Sequence, residues 1–206
     1  MHTQTKNTQE KLTPKTAHNI LVEGNKRFVQ NLKAQRNLKD QVLQTSDGQF
    51  PFAVILSCID SRVPAELVFD QGIGDIFSVR VAGNIVNEDV LGSMEYACKV
   101  AGSKIVVVMG HTKCGAVTAA CQHVELGNIT NLLDKIKPAV KIIEDKENVS
   151  LNEDAIEEVA TLNVQMSIER IRKESPILAE MEQNGDIEIV GSIYNVSDGL
   201  VTFFDK

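Results

Sequence analysis

Three residues with metal-binding side chains stand directly after two short apolar segments of the sequence. Cys58 follows the apolar residues 52–57, and His111 and Cys114 follow the apolar residues 104–109 about fifty positions later. Both segments are rich in β-branched residues, which is typical of strands buried on both faces of a parallel sheet. Because ligands bind at the carboxyl edge of an open α/β sheet, we expect the three side chains to converge at that edge.

Two thiolates and one imidazole form a ligand set that suits zinc and leaves a fourth position for water. Hard ions such as magnesium prefer oxygen ligands and would not choose this set. Zinc lowers the pKa of a bound water to about 7, so it supplies hydroxide near neutrality. Since two thiolates make zinc less Lewis-acidic than three imidazoles would, we expect a somewhat higher water pKa and better activity in mildly alkaline solution.

An acidic residue and a basic residue follow closely after the first candidate ligand. Asp60 lies two residues and Arg62 four residues beyond Cys58, in a turn where both can point into the metal cleft. A carboxylate there can coordinate the open position, accept a hydrogen bond from zinc-bound hydroxide, or satisfy local backbone donors. A bidentate guanidinium partner would hold the carboxylate off the metal and keep it ionised. We therefore interpret the pair as a switch between an open and a blocked site.

Each of these features has a simpler explanation when it is taken alone. A cysteine at a strand end is usually buried for packing, and an Asp-Ser-Arg turn is more often a solvated loop with a local ion pair. Only the combination of Cys-x-Asp-x-Arg after one strand and His-x-x-Cys-Gly after another is specific. A structural zinc site would normally be closed by a fourth ligand, and Cys98, Cys121 and His123 stand in no obvious position to supply it. The two cysteines lie in helical patterns and are interpreted as core residues.

The elements that position these residues follow the order βαβαβ, with added helices. The pattern predicts strands over 52–58, 75–81 and 104–110, and helices over 14–33, 88–100, 115–126 and 130–147. A capping-box pattern at 150–153 begins a further helix that ends near 173. Two last strands, 187–196 and 200–204, are joined by a tight Asp-Gly turn. The fold class is α/β, with a mostly parallel central sheet flanked by helices and a C-terminal strand pair.

We expect one domain over residues 1–206, in which 1–50 form an N-terminal helical arm and 51–206 form the zinc-binding α/β core. Residues 1–12 are polar and are expected to be mobile. The helix over 14–33 precedes the first strand and has no sheet partner. It should therefore pack on another part of the molecule or on a second subunit.

Composition narrows the classes of function and the compartment. The formal net charge of -7 argues against a nucleic-acid surface, because neutralising phosphates needs an excess of Lys and Arg. No apolar run approaches the roughly 18 residues that cross a bilayer, and residues 1–19 lack the apolar centre of a signal peptide. We expect a cytoplasmic protein without nucleic-acid or membrane partners, unless a presequence has been removed. The four cysteines contain no Cys-x-x-Cys spacing, which favours metal binding or burial over disulfides.

These motifs resemble those of the β-class carbonic anhydrases, zinc enzymes that hydrate carbon dioxide reversibly to bicarbonate and a proton. The segments 58–62 and 111–115 carry the resemblance, and segments 23–28, 69–75 and 79–84 are also similar to this family. The similarity extends from about residue 21 to residue 204. It implies a fold with a predominantly parallel sheet and flanking helices.

The resemblance assigns roles to residues at matching positions. It implies that Cys58, His111 and Cys114 are the zinc ligands and that Asp60 and Arg62 are the catalytic dyad. Some members use a glutamine that reaches the substrate, for which Gln71 is the nearest candidate, although its flanking pattern is offset here. Gly83 and Gly115 would allow close backbone approach near the cleft. A bicarbonate-regulated subset uses a tryptophan, and this chain has none.

The resemblance also implies an obligate homodimer whose N-terminal helices embrace the partner, with tetramers built from dimers as a further level. Our hypothesis is that zinc hydroxide, oriented by Asp60, attacks carbon dioxide in a small apolar pocket at the dimer interface. Two alternatives stay open. One is a hydrolase of carbon disulfide or carbonyl sulfide on the same scaffold, and the other is a non-catalytic zinc protein, against which the intact Asp60 and Arg62 argue.

Overall fold

A computed structural model describes residues 3–147 and 151–205 of the chain. Its strands are β1 (Ala53–Ser57), β2 (Ile76–Arg80), β3 (Ile105–His111), β4 (Glu188–Tyr194) and β5 (Val201–Phe203). They form one sheet in the order β2-β1-β3-β4-β5, in which only β5 runs antiparallel to its neighbour. The predicted α/β class with a mostly parallel sheet is confirmed.

The two central strands are those that carry the candidate ligands. Every residue of β1 and of β3 is buried, as expected for strands covered on both faces. Ser57, the last residue of β1, pairs with Met109 of β3, so Cys58 leaves its strand next to the end of β3. The strand register therefore delivers Cys58 and His111 to the same edge of the sheet.

The helices flank the sheet on both faces. They are α1 (Lys6–Glu10), α2 (Pro14–Val29), α3 (Leu38–Gln44), α4 (Ala65–Val68), α5 (Glu88–Glu95), α6 (Gly115–Cys121), α7 (Gly127–Leu133), α8 (Lys137–Glu147), α9 (Glu153–Glu174) and α10 (Pro176–Gln183). A 3-10 turn lies at Ala82–Asn84, and α5 continues as one π-helical turn over Tyr96–Val100. Helix α9 begins with Asn152 as its N-cap, and Ser150 of the predicted capping box lies outside the described residues.

The single helix predicted over 130–147 is wrong, because the structure forms α7 and α8 with a break at 134–136. Ile136 lies in the break and is fully buried, in the same apolar cluster as Cys58 and Cys114. Pro138 then stands in the first turn of α8, where its missing N–H costs no helical hydrogen bond. The turn between the two helices thus places Ile136 in the core.

The described part of the segment that was expected to be mobile, residues 3–12, is held against the core. Helix α1 lies within it, and Gln9 near the end of α1 is buried, where its Nε2 donates to the carbonyls of Pro51 and Ala101 at 2.7 Å each. Helix α2 packs on its own chain, since Ala17 and Leu21 are fully buried against the sheet. The arm is therefore attached to the core of the same chain.

A glycine in α2 permits its close contact with α4. A Cβ at Gly24 would lie only 1.9 Å from the carbonyl oxygen of Phe69, so no larger residue fits there. Asn25 is buried beside it and bonds to the carbonyl of Gly199 and the amide of Val201. Helix α2 thereby joins the start of the chain to its last strand.

The final strand pair is confirmed, with a longer connection than the predicted tight turn. Residues 195–200 separate β4 from β5, and Gly199 has a φ of +81°. Among the described residues, no helix is long and apolar enough to cross a membrane.

Candidate metal centre

The structure brings the three predicted metal ligands together. Cys58 follows β1, His111 ends β3 and Cys114 immediately precedes α6. Their ligand atoms all lie within 4.8 Å of one another, and all three residues are buried. Within residues 3–147 and 151–205, this is the one group of three or more His, Cys, Asp or Glu residues that could hold a metal ion.

The ring of His111 is oriented for metal binding. Its Nδ1 lies 2.9 Å from the carbonyl oxygen of Thr112, and a carbonyl can only accept, so Nδ1 carries the proton. The Nε2 lone pair then points into the ligand group, where it is buried and has no hydrogen-bond partner. A buried, unpaired polar atom is costly, and a metal ion would satisfy it.

The two thiols influence one another strongly. A hydrogen bond with Cys114 lowers the pKa of Cys58, aided by the backbone N–H groups of Asp60 and Gly83, against the effect of burial. The same contact, together with burial, raises the pKa of Cys114. The pair thus releases one proton readily and resists losing the second until a cation joins the group. This donor set fits zinc.

Asp60 and Arg62 form the predicted ion pair beside the ligand group. Arg62 donates from Nε to Oδ1 at 2.9 Å and from Nη2 to Oδ2 at 2.7 Å, and its backbone N–H also donates to Oδ1 at 2.9 Å. These hydrogen bonds lower the pKa of Asp60 to about 2, against a smaller effect of burial. Oδ2 lies 4.0 Å from His111 Nε2. An ionised carboxylate is therefore held next to the ligands by Arg62.

Arg80, the last residue of β2, supports the same turn and was missed from the sequence. Its Nε donates to the carbonyl of Cys58 at 3.0 Å, and its Nη2 donates to the carbonyl of Asp60 at 2.6 Å. A signal was available, because the strand predicted over 75–81 carries Arg80 near its carboxyl end. A cationic residue at that strand end was a candidate for contact with the site.

Gly83 approaches a ligand closely, as expected. Its N–H donates to Cys58 Sγ at 3.4 Å, and its φ of +65° lies in the left-handed region that favours glycine. A Cβ there would meet Ile136 Cδ1 at 2.6 Å. The carbonyl of Gly83 accepts a hydrogen bond of 2.9 Å from Nδ2 of the buried Asn163 in α9. Asn163 was also missed, and no local pattern could have found it.

The two other predicted substrate contacts receive less support from the described structure. A Cβ at Gly115 would meet nothing within 4 Å, so no neighbour requires glycine there. Gln71 donates from Nε2 to the carbonyl of Phe69 at 2.6 Å and lies against Gly24 of α2. The substrate roles of Gln71, Gly83 and Gly115 stay predictions.

The remaining cysteines and histidines described by the structure lie outside the ligand group. Burial raises the pKa of Cys98 to about 12, as expected for a core thiol, and raises that of the half-buried Cys121 to about 11. His123 Nε2 lies 3.0 Å from Glu144 Oε1, and the ring of His18 lies edge-on to Phe203 at 4.4 Å. In the part of the chain that the structure describes, the candidate group therefore consists of three side chains.

Fold and site together define an α/β protein with a buried Cys-His-Cys group at the carboxyl edge of a parallel sheet. The family model described as carbonic anhydrase matches residues 53–201. Carbonic anhydrase 2 of Mycobacterium tuberculosis (strain CDC 1551 / Oshkosh) is 34% identical over 198 residues, which cover 93% of each chain.

Solved structures agree with this match. The β-carbonic anhydrase CcaA has a TM-score of 0.76 at 26% identity, covering 91% of this chain and 95% of its own. A β-carbonic anhydrase of Sordaria macrospora, described as tetrameric, has a TM-score of 0.73 at 22% identity, covering 82% and 91%, and so shows the fold. The chain belongs to the β-carbonic anhydrases, a family of enzymes.

Proposed function

We propose that this protein catalyses the reversible hydration of carbon dioxide to bicarbonate and a proton, with zinc held by Cys58, His111 and Cys114. The observation that carries the proposal is the Asp60 carboxylate, which Arg62 holds 4.0 Å from His111 Nε2. A structural metal site has no need of an ionised carboxylate beside its ligands. Zinc in this group would lower the pKa of a bound water and so supply the oxygen nucleophile.

Asp60 acts in this proposal by accepting a hydrogen bond from the nucleophile. With a pKa of about 2 the carboxylate is ionised at neutral pH, so it accepts a hydrogen bond and is too weak a base to keep a proton. An accepted bond fixes the direction of the O–H and leaves an oxygen lone pair facing the carbon. Arg62 keeps the carboxylate in that orientation through two parallel hydrogen bonds. The switch between an open and a blocked site stays a prediction.

Apolar side chains surround the ligands on their buried side. Ile85, Val117 and Ile136 belong to the same buried cluster as Cys58 and Cys114. This surface suits an uncharged, apolar substrate such as carbon dioxide, and it lowers the local dielectric constant. Electrostatic interactions between the ligands, Asp60 and the reacting atoms are stronger in such surroundings.

The proposed assembly is a homodimer, from which tetramers are built. Several apolar side chains are exposed, among them Val42, Leu43 and Ile73 on two segments that contact each other, and Ile59 and Leu67 elsewhere. Ile59 stands between Cys58 and Asp60 in the sequence, and α3 contacts the 72–74 segment through Gln41 and Thr45. Apolar clusters of this kind mark protein interfaces. We expect a partner subunit to cover exposed apolar side chains of this kind, and sedimentation analysis of the protein as purified tests the dimer: a monomer would contradict the proposal. We also propose a cytoplasmic location.

The decisive experiment is stopped-flow carbon dioxide hydration at about pH 7 and about pH 8.5, on protein whose zinc content per chain is measured in the same sample. We expect about one zinc per chain and a turnover that rises with pH. Full zinc without turnover at either pH would contradict the proposal. Hydrolysis of carbon disulfide or carbonyl sulfide by that sample would then indicate the alternative substrate class, and inactivity on all three would indicate a non-catalytic zinc protein.

A further inference from the structure

The short segment between two of the ligands has an unfavourable backbone conformation. Lys113 lies between His111 and Cys114 and has a φ of +54°, in the left-handed region that side-chain-bearing residues rarely adopt. Such residues persist only where the surrounding structure holds them in place. The conformation matters because it sets the direction in which the chain turns between the two ligands.

Both polar groups of Lys113's backbone are held by side chains from elsewhere in the fold. Its N–H donates to Oε1 of Glu157 at 2.7 Å, and its carbonyl accepts from Nη2 of Arg62 at 3.2 Å. Arg62 thus spans the ligand segment and the Asp60 carboxylate. Glu157 binds the backbone N–H of the same residue, Lys113.

The position of Glu157 is determined by its helix. Its neighbours Ala155 and Val159 are buried in the cluster around the ligands, and Asn163 on the same helix bonds to Gly83. A carboxylate that accepts from a backbone N–H makes a charge-assisted bond, which is stronger and shorter than a neutral one. Helix α9 is therefore a fixed support from which Glu157 reaches the ligand segment.

We propose that Glu157 is a positioning residue for the metal site: by holding the Lys113 backbone, it keeps His111 and Cys114 in place to bind the metal. Glu157 acts through the backbone and does not bind metal or substrate itself. The inference rests on the zinc site of the proposed function. The proposed function does not include this support: retention of the metal depends on a hydrogen-bond acceptor, the Glu157 carboxylate, that α9 supplies.

The test compares Glu157→Ala, Glu157→Gln and the control Glu158→Ala. Glu158 is the next residue of the same helix and is exposed, so its substitution reports any general effect on α9. The measurement is the rate at which zinc-loaded protein loses zinc to a chromogenic chelator. We expect Glu157→Ala to lose zinc about 10- to 100-fold faster than the parent, as for other residues that orient metal ligands. Glu157→Gln should stay within about threefold, because its amide oxygen still accepts the hydrogen bond.

A second measurement reads the hydrogen bond directly. The amide of Lys113 should be protected from hydrogen exchange in the zinc-loaded parent and in Glu157→Gln, and should exchange faster in Glu157→Ala. Unfolding midpoints in urea separate this local effect from a loss of global stability.

Either of two results would overturn the inference. One is zinc release from Glu157→Ala at the parental rate, and the other is equal acceleration in Glu157→Ala and Glu157→Gln. A parent protein that binds no zinc would instead refute the proposed function and with it this inference. The zinc content of the parent therefore distinguishes the two failures.

Discussion

The substitution Asp60→Asn separates orientation of the nucleophile from metal binding. It keeps the size of the side chain and replaces one acceptor oxygen by an NH2 group. Arg62 presents N–H donors to both carboxylate oxygens, Nε and its backbone N–H at Oδ1 and Nη2 at Oδ2. In either orientation the amide places its NH2 against an Arg62 donor, so the bidentate pairing is lost.

The structure sets the expected size of the effect. Asp60 is not one of the three residues that form the ligand group, so zinc content should stay at the parental value. Removing one oriented hydrogen-bonding group from an active site typically lowers kcat by about 10²- to 10³-fold, equivalent to roughly 3–4 kcal/mol. The position and charge of Asp60 place this substitution in that class. We expect a fall in kcat of at least about 100-fold.

The assay measures kcat and KM by stopped-flow carbon dioxide hydration, with zinc determined on the same samples. Asp47→Asn is a matched control, because Asp47 is an exposed aspartate and the same chemical change should leave kcat unaltered. Parental kcat in Asp60→Asn with full zinc would refute the orienting role. Loss of zinc from that variant would show that Asp60 supports the ligands instead.

Three further predictions follow from the structure. Cys58→Ala should lose zinc and activity together, whereas Cys98→Ala should keep its zinc because that thiol is a core residue; equal zinc content in the two would contradict the ligand assignment. Gly83→Ala should be less stable in urea by about 1–3 kcal/mol, since it combines a φ of +65° with a Cβ 2.6 Å from Ile136 Cδ1, and an unchanged midpoint would argue against this. Asp70→Asn should lower the free energy of unfolding by about 3 kcal/mol at neutral pH. This value is near the low end for breaking a buried ion pair, because the Arg27 side chain stays 30% exposed. Burial alone would raise the pKa of Asp70, but hydrogen bonds from Arg27, Ala34 and Arg36 outweigh it, so the pKa is lowered. The stability that this lowered pKa confers is present above the ordinary carboxyl pKa of about 3.9, and it is lost as the pH falls through the folded-state pKa. In urea titrations, the difference in free energy of unfolding between the parent and Asp70→Asn should therefore shrink below about pH 4. If the difference between the parent and Asp70→Asn stayed constant at lower pH, the lowered pKa of Asp70 would be contradicted.

Secondary structure was predictable where the signal was local. The fully buried strands β1 and β3 appear within one residue of their predicted bounds, because continuous β-branched apolar runs have few alternatives in an α/β chain. The break at Ile136 and the packing of Gln9 were not predictable. Both depend on burial against residues distant in sequence, which a helical period or a polar composition does not reveal.

The sequence by itself determined which residues form the ligand group and which acid and base lie beside it. Their types define the chemistry, and their positions after two predicted strands define the sheet edge at which they meet. Only the tertiary structure decided how that group is supported. Glu157 and Asn163 bond to backbone groups of residues 44 and 80 positions away in the chain, at Lys113 and Gly83. Every residue except proline carries both of these backbone groups, so no pattern of side chains could identify the two contacts before the helix was placed.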